Sequence, residues 1–296
     1  MLQVISKDSK IIEKLASALD ISTKDLLTLD TKAIASEFLS VKRAVEQVEL
    51  FKDIVNNFEK YDFKEKKLLE VGAGVGTFLI VSRMQYGIES FGLEPSSDEF
   101  SPFKEISSAI LKEYNISNDI IVNATGEQIP FPDDSFDLIY STNVLEHVKD
   151  PKVVIAESIR VLKSGGYLQF VIPNYFSFWE GHYGIFWPCI TNKTLGKIYA
   201  RLINKNPNYI DTLQLISPFY LKKILKELEG KIEILGWGKD VFKNRLERGN
   251  YSDWASLQKI RPIITLIQNL KIGSIVGSVL NAFEMYTPIV LTIKKK

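Results

Sequence analysis

Three groups of residues have types and spacings that chemistry uses. The first is Leu68 to Phe78, LLEVGAGVGTF, with glycines at 72, 74 and 76 directly after an apolar run. Alternating glycines let the backbone approach a ligand closely and turn sharply into a helix. Such a loop can cradle phosphates or another part of a nucleotide. It is not the dinucleotide fingerprint, whose third glycine would fall on Thr77, and no Gly-Lys-Ser/Thr follows to make a P-loop. The second is Glu94, which closes FGLEPS about 20 residues after the loop, where an acid accepts hydrogen bonds from ribose hydroxyls. Its two oxygens can accept from both hydroxyls of a pair. Alone, the loop could be a plain strand-to-helix turn and Glu94 an exposed strand-end acid; together they indicate a nucleoside site. The third group is PNYFSFWEGHYGIFWPC, residues 173 to 189. It holds His182, which is one of two histidines, the only cysteine, two of the four tryptophans, and seven aromatic side chains in all.

These groups need elements to position them. LLEVG (68–72), SFGLE (90–94), DIIVNA (119–124), FDLIYS (136–141) and YLQFVI (167–172) are short apolar or alternating runs that end at turn chemistry. The segments between them are long enough for crossover helices, such as Pro151 to Leu162. Strand alternating with helix implies a parallel sheet with helices on both faces. Residues 1–60 have apolar positions at three- and four-residue spacing and read as helices, with Asp20, Ser22 and Asp30 where caps or turns would fall. After Pro173 the rhythm breaks for about forty residues. It resumes with a helix near Ser217 and the strand KIEILGW, breaks again over 238–285, and ends with the strand TPIVLTI, 287–293.

Four stretches carry a resemblance to a known family: LLEVGAGVG, FGLEPS, GEQIPFPDDSFDLIYSTNVLEHVKDP and IRVLKSGGYLQFVIPN. In this order and spacing over residues 68–174 the chain resembles the class I S-adenosylmethionine-dependent methyltransferases, type 11 branch. The resemblance implies an α/β fold: a Rossmann-like, doubly wound, mostly parallel seven-stranded sheet. Here it carries N-terminal helices and two helical or irregular insertions. The expected division is a helical cap over 1–62 and a methyltransferase domain over 63–296. The insertions are 173–216, an acceptor loop, and 238–285, a lid or interface.

By position, the resemblance implies a site for S-adenosyl-L-methionine. Glu70, Gly72 and Gly74 face its methionine part, Gly76 belongs to the same cofactor loop, Glu94 holds its ribose, and Pro95-Ser96 border its adenine. Where the family commonly has an acid against the adenine amino group, this chain has Thr125, followed by Gly126, whose backbone N–H could serve. Ser141 and Asn143 are expected beside the sulfonium and amino-acid tail. Asp137, Glu157 and Arg160 are expected to orient loops, and His147, in a helix opening at Leu145, to cap or orient the cofactor loop.

In such a fold, ligands sit above the carboxyl ends of the strands, so residues 173–189 emerge from the fifth strand at the mouth of the site. Aromatics there can build an apolar wall or a sugar-stacking platform. His182 titrates near neutrality when unperturbed and Glu180 is two residues away. That makes His182 the candidate general base, with Glu180 orienting it and Tyr183 and Tyr175 as lesser candidates. An anchored loop with a structurally satisfied His182 is equally open. Cys189 reads as a small buried apolar residue.

Composition sets the bounds. The 296 residues are 45% apolar and 25% charged with net charge +1, an ordinary globular balance. There is no basic stripe for nucleic acid. One cysteine excludes an intrachain disulfide and a zinc site built on several cysteines, and no metal is expected. The N-terminus lacks an uninterrupted apolar h-region, so a cytoplasmic protein is expected. Ile272 to Ile293 is mostly apolar but interrupted by Asn281, Glu284 and Pro288; a helix followed by a strand is expected rather than a span. Trp254, Ile263, Ile264, Leu266, Ile267 and Leu270 could form an apolar face, for a dimer, for the membrane surface, or packed on the core.

The leading expectation is O-methylation of a small molecule or glycan, the latter from a weaker likeness to methyltransferases of bacterial surface-glycan pathways. The alternatives are a lipophilic acceptor, such as a quinone or lipid-linked sugar, and a methyltransferase-like protein that binds without catalysis.

Overall fold

The computed structural model describes residues 5–6, 8–23, 31–95, 101–249, 257 and 259–296. Asp30, Ser96 and Trp254 lie outside them. Three helices come first: α1 (Ser9–Thr23), α2 (Thr31–Phe38) and α3 (Val41–Asn56). Then β1 (Lys67–Val71), α4 (Thr77–Tyr86), β2 (Glu89–Leu93), α5 (Ser101–Glu113), β3 (Ile121–Val122), β4 (Phe136–Thr142), α6 (Pro151–Val161) and β5 (Leu162–Ile172) alternate. A small hairpin comes next, β6 (Trp179–Glu180) with β7 (Ile185–Phe186), then α7 (Lys193–Leu202), α8 (Tyr209–Thr212), α9 (Pro218–Leu225) and β8 (Ile232–Gly236). The chain closes with α10 (Lys239–Arg248), α11 (Arg261–Asn269), α12 (Gly273–Ala282) and β9 (Ile289–Lys295).

The main sheet has seven strands in the order β3-β2-β1-β4-β5-β9-β8. The first five are parallel, and β9 runs antiparallel between β5 and β8. The chain winds outward from β1 to β3 and then crosses back to β4. The crevice at this reversal lies over the carboxyl ends of β1 and β4, which is where doubly wound sheets bind ligands.

Period-two alternation divides the strands between two cores. Leu68, Leu138, Tyr140 and Tyr167 pack with α3 and Phe78 on one face, and the ring of Phe78 stacks on Tyr140 at 4.3 Å. Leu69, Val71, Ile139, Leu168 and Phe170 pack with α6, α9 and α10 on the other. Helices α1 and α2 share a third cluster with α4 and α5, so the N-terminal helices extend the helical layer that α4 and α5 form.

Several expectations change in detail. α1 runs through Asp20 and Ser22, which were expected at caps or turns. The third strand shortens to Ile121–Val122, because Ser117 accepts from the Asp119 N–H and folds Asn118–Ile120 into a 3-10 turn. The fifth lengthens back to Leu162, since Lys163-Ser-Gly-Gly166 continues the pairing across a bulge opposite Phe136 and Leu138.

The segment expected to be irregular after Pro173 contains the hairpin, α7 and α8. It has its own core of Tyr175, Tyr183, Trp187, Ala200, Ile210 and Leu213. Trp187 is fully buried and donates to the carbonyls of Tyr175 and Ile190. Much of the aromatic content at 173–189 is thus the core of this insertion. Cys189 is half-buried with φ +54°, rather than buried.

Among the described residues no single helix is long and apolar enough to cross a membrane, and α11 and α12, which would be long enough together, meet at a 119° bend. Gly273 and Gly277 pack face-on against α10: a Cβ at Gly273 would stand 2.7 Å from the Leu246 carbonyl oxygen. The two glycines, four residues apart on α12, therefore serve a contact inside the chain.

Candidate functional site

The cofactor side begins where β1 ends. Gly72, Gly74 and Gly76 have φ of +81°, +53° and +82°, a left-handed conformation that glycine adopts without steric cost. The Gly72 and Ala73 N–H groups both donate to the Leu93 carbonyl at 2.9 Å, and a Cβ on Gly72 would meet Val144 at 2.2 Å. A Cβ on Gly74 would enter open space, and its N–H donates to Glu94 Oε2 at 2.8 Å. The Thr77 hydroxyl donates to the Phe38 carbonyl at 2.7 Å, tying the start of α4 to the end of α2.

Two carboxyls stand at these strand ends. Burial pushes Glu94 up to about 7, against the lowering effect of the Gly74 N–H. Burial, then the neighbouring Glu94, hold Glu70 well above the usual carboxylate range. Glu70 Oε2 is buried without a hydrogen-bond partner. A cleft beside Glu94 is walled by Ser108, Leu111, Ile121 and Asn123. Pro95 is half-buried next to it; Thr125 is exposed, and Gly126 is buried where a Cβ would press on Val71 and Val154. The Ser141 hydroxyl donates to the Val71 carbonyl at 2.8 Å and braces β4 to β1. Asn143 is exposed with φ +53°, and its N–H donates to Val171.

The other side is built by the loops that leave β4 and β5. Asn174 locks the exit from β5: its amide donates to the carbonyls of Glu284 and Tyr286 and its oxygen accepts from the Phe176 N–H. The β6–β7 hairpin then presents Glu180, buried, between two donors. Oε1 lies 2.6 Å from His182 Nδ1 and Oε2 accepts from the Tyr183 N–H at 2.7 Å. A carboxylate only accepts, so Nδ1 carries the proton. Burial works against protonation of His182, but the charge and hydrogen bond of Glu180 and the charge of Glu146 outweigh it and leave its pKa raised.

His182 Nε2 faces His147 Nε2 at 3.3 Å. His147 is exposed on its outer side, and the partial desolvation of its ring first, and His182 second, lower its pKa. Glu146 is fully buried, burial pushes it up to about 7, and neither of its oxygens meets a donor on another residue. Oε1 lies 3.9 Å from His147 Nε2.

The structure separates the residues singled out in the sequence. Glu180 and His182 come together, while Tyr183 is buried with its hydroxyl donated to the Asn206 carbonyl, a satisfied anchor. Tyr175 is also buried, with its phenol held well above its ordinary pKa, first by burial. Leu145 to His147 form a turn rather than the start of a helix; α6 begins at Pro151, capped by Asp150. Asp137 accepts from the Lys67 N–H and from Lys163, and Glu157 holds Arg160 against the carbonyls of Ile129 and Phe131. These ties orient loops. Glu146 was missed, and nothing in VLEHVKD marks it as buried.

A family model described as a methyltransferase domain matches residues 43–228. That is well over half of the chain. The chain belongs to the methyltransferase-domain family. Among curated relatives it is 30% identical to norajmaline N-methyltransferase of Rauvolfia serpentina, over 46% of this chain and 44% of that protein. It is 34% identical to the uncharacterized methyltransferase YcgJ of Bacillus subtilis, over 34% of this chain and 38% of that protein. The chain thus matches under half the length of these relatives. Solved structures share the fold at low identity. The [4+2]-cyclase SpnF aligns with a TM-score of 0.51 at 15% identity, over 97% of this chain and 94% of that one. A phosphoethanolamine N-methyltransferase of Haemonchus contortus aligns with a TM-score of 0.52 at 16% identity, over 95% and 61%.

The residues of this methyltransferase domain fit the S-adenosyl-L-methionine that its family implies. Glu94 spends one oxygen on Gly74, and the other takes no hydrogen bond among the described residues. Gly74 opens onto free space. Glu70 has a buried oxygen without a donor, and a cationic amino group would satisfy it.

Proposed function

We propose that the protein is an S-adenosyl-L-methionine-dependent methyltransferase that acts on a hydroxyl of a small-molecule or glycan acceptor. The observation that carries the choice of oxygen is the pair Glu180–His182 beside the carboxyl ends of β4 and β5. A neutral amine is already nucleophilic, whereas a hydroxyl must lose a proton. A buried carboxylate holding an imidazole in one tautomer suits that task.

The cofactor, when bound, supplies an electrophilic methyl group. Glu70, Gly72, Gly74 and Gly76 would hold its methionine part, Glu94 its ribose hydroxyls, and Pro95, Thr125 and Gly126 its base. Ser141 and Asn143 would border the reacting end. His182 would take the acceptor proton at Nε2 while Glu180 holds Nδ1–H. The insertion core around Trp187 fixes the hairpin that carries both residues. The test starts with calorimetric titration of the protein with S-adenosylhomocysteine beside Glu94→Ala. Binding lost in the variant supports the cofactor site; no binding by the wild type overturns it. Methyl transfer from labelled cofactor into cell extracts, separated into aqueous and lipid products, then identifies the acceptor class.

A second reading has one observation in its favour. α11, α12 and the residues that close them, Leu270 and Phe283, expose apolar side chains, with Ile263, Leu266, Ile275 and Val279 on the helices themselves, which suits a lipophilic or lipid-linked acceptor met at a membrane surface. Label in the lipid fraction, with co-flotation of the protein on anionic vesicles, favours it. A dimer by light scattering and no flotation assigns the face to a second copy instead.

A further inference from the structure

Glu146, His147 and His182 bring one carboxylate oxygen and two imidazole nitrogens within 4.8 Å of one another. Two features set them apart from an ordinary packed cluster. Glu146 is wholly buried, yet neither oxygen has a donor on another residue. A buried carboxylate without a partner is costly, and such groups are paired or coordinate metals. The two Nε2 atoms also lie 3.3 Å apart, close enough to share one proton between them and equally close enough to share one ion.

We propose that Glu146, His147 and His182 bind one divalent transition-metal ion, and that the ion takes an oxygen of the methyl acceptor as a further ligand. Two imidazoles and one carboxylate suit zinc, iron, cobalt or manganese better than calcium or magnesium. Ligand atoms about 2.0–2.2 Å from a shared centre stand roughly 3.0–3.5 Å apart. The nitrogen pair at 3.3 Å already has that spacing; the Glu146–His147 pair at 3.9 Å and the remaining pair, within 4.8 Å, close by side-chain rotation. Glu180 completes the arrangement from outside. By accepting Nδ1–H at 2.6 Å it leaves the Nε2 lone pair of His182 for the ion, the second-layer carboxylate found behind metal-bound histidines. Three protein ligands leave coordination positions open.

The acceptor clause rests on the methyltransferase reading; the ion site does not. In the ion-free chain His182 Nε2 is the base proposed above; in the loaded chain it is a ligand and the ion activates the hydroxyl in its place, so loss of His182 slows transfer in either state. The cation lowers the pKa of the acceptor hydroxyl, whose proton passes to solvent water. The oxygen then forms its bond to the methyl carbon as the carbon–sulfur bond breaks.

Tag-free full-length protein, stripped with chelator, is titrated with Co2+ followed by visible absorption and with Zn2+ and Mn2+ by calorimetry. The wild type is compared with His147→Ala, His182→Ala, Glu146→Gln and Glu180→Gln, each checked for S-adenosylhomocysteine binding as a sign of folding. The expected result is one ion per chain in the wild type, weakened roughly 10–100-fold by Glu180→Gln and at least as much by each ligand change. Absence of saturable ion binding by a chain that binds S-adenosylhomocysteine overturns the site, as does binding that both histidine variants leave unchanged. Ion binding without S-adenosylhomocysteine binding keeps the site and removes the acceptor clause.

Discussion

At the scale of single residues, Glu180 and Tyr183 show how neighbours divide between chemistry and anchoring. Glu180 turns one oxygen to the imidazole and the other to a backbone N–H. Tyr183 turns its hydroxyl away, to Asn206. His182→Ala is expected to slow methyl transfer by about 10²–10⁴-fold while leaving S-adenosylhomocysteine affinity unchanged. Tyr183→Phe loses one hydrogen bond, about 1 kcal/mol of stability, and keeps the rate within a few-fold. Rates and denaturation midpoints for the two variants side by side check this. A Tyr183→Phe rate loss as large as that of His182→Ala would move the phenol into the chemistry.

At the scale of elements, the exit from β5 decides where the hairpin stands. Asn174 is buried and satisfies two carbonyls, Glu284 and Tyr286, that precede β9. Ser177 adds a bond to the Met285 carbonyl. Asn174→Ala leaves buried carbonyls unpaired, so a loss of about 2 kcal/mol or more is expected. Turnover should fall further than cofactor affinity, because the acceptor side shifts and the glycine loop does not. Denaturant midpoints, kcat and S-adenosylhomocysteine titration separate the two effects.

These elements also show what the sequence could reveal. The strands of the parallel half are legible because alternation is local, and the glycine loop because three positive-φ positions admit few other residues. The pairing of Glu180 with His182 is legible because the two lie two residues apart. Glu146 and His147 are not, because their partner His182 comes 35 residues after His147, and only the adjacency of β4 and β5 joins them. The aromatic run at 173–189 leaves a pocket wall and an anchored loop both open, because sequence does not distinguish a wall from a small core. Gly196 and Ala200 on α7 close over Trp187 and make it core.

At the scale of the whole molecule, the cofactor crevice stores destabilisation that a ligand can relieve. Glu94 has its pKa raised to about 7 by burial, and Glu70 is raised as well. A raised carboxyl means that the folded chain holds a proton which the unfolded chain has released. Stability from this source is therefore full below about 4.5 and is lost as pH rises toward 7. For Glu94 the difference from an ordinary carboxyl corresponds to about 3 kcal/mol at pH 8. Other groups titrate in the same range, so the informative quantity is the difference between Glu94→Gln and wild type. At pH 4.5 the two ligand-free proteins should have nearly equal stability, since both side chains are neutral and both can accept from the Gly74 N–H. At pH 8 the variant should be the more stable by about 2–3 kcal/mol, and it should bind S-adenosylhomocysteine more weakly, because a neutral amide accepts less strongly from ribose hydroxyls. Saturating ligand should narrow the stability gap by giving the ionised wild-type carboxylate the donors that burial denies it. Thermal midpoints of both proteins at the two pH values, with and without ligand, test each part. A gap that does not grow with pH would mean that Glu94 titrates normally and is solvated rather than held for a ligand.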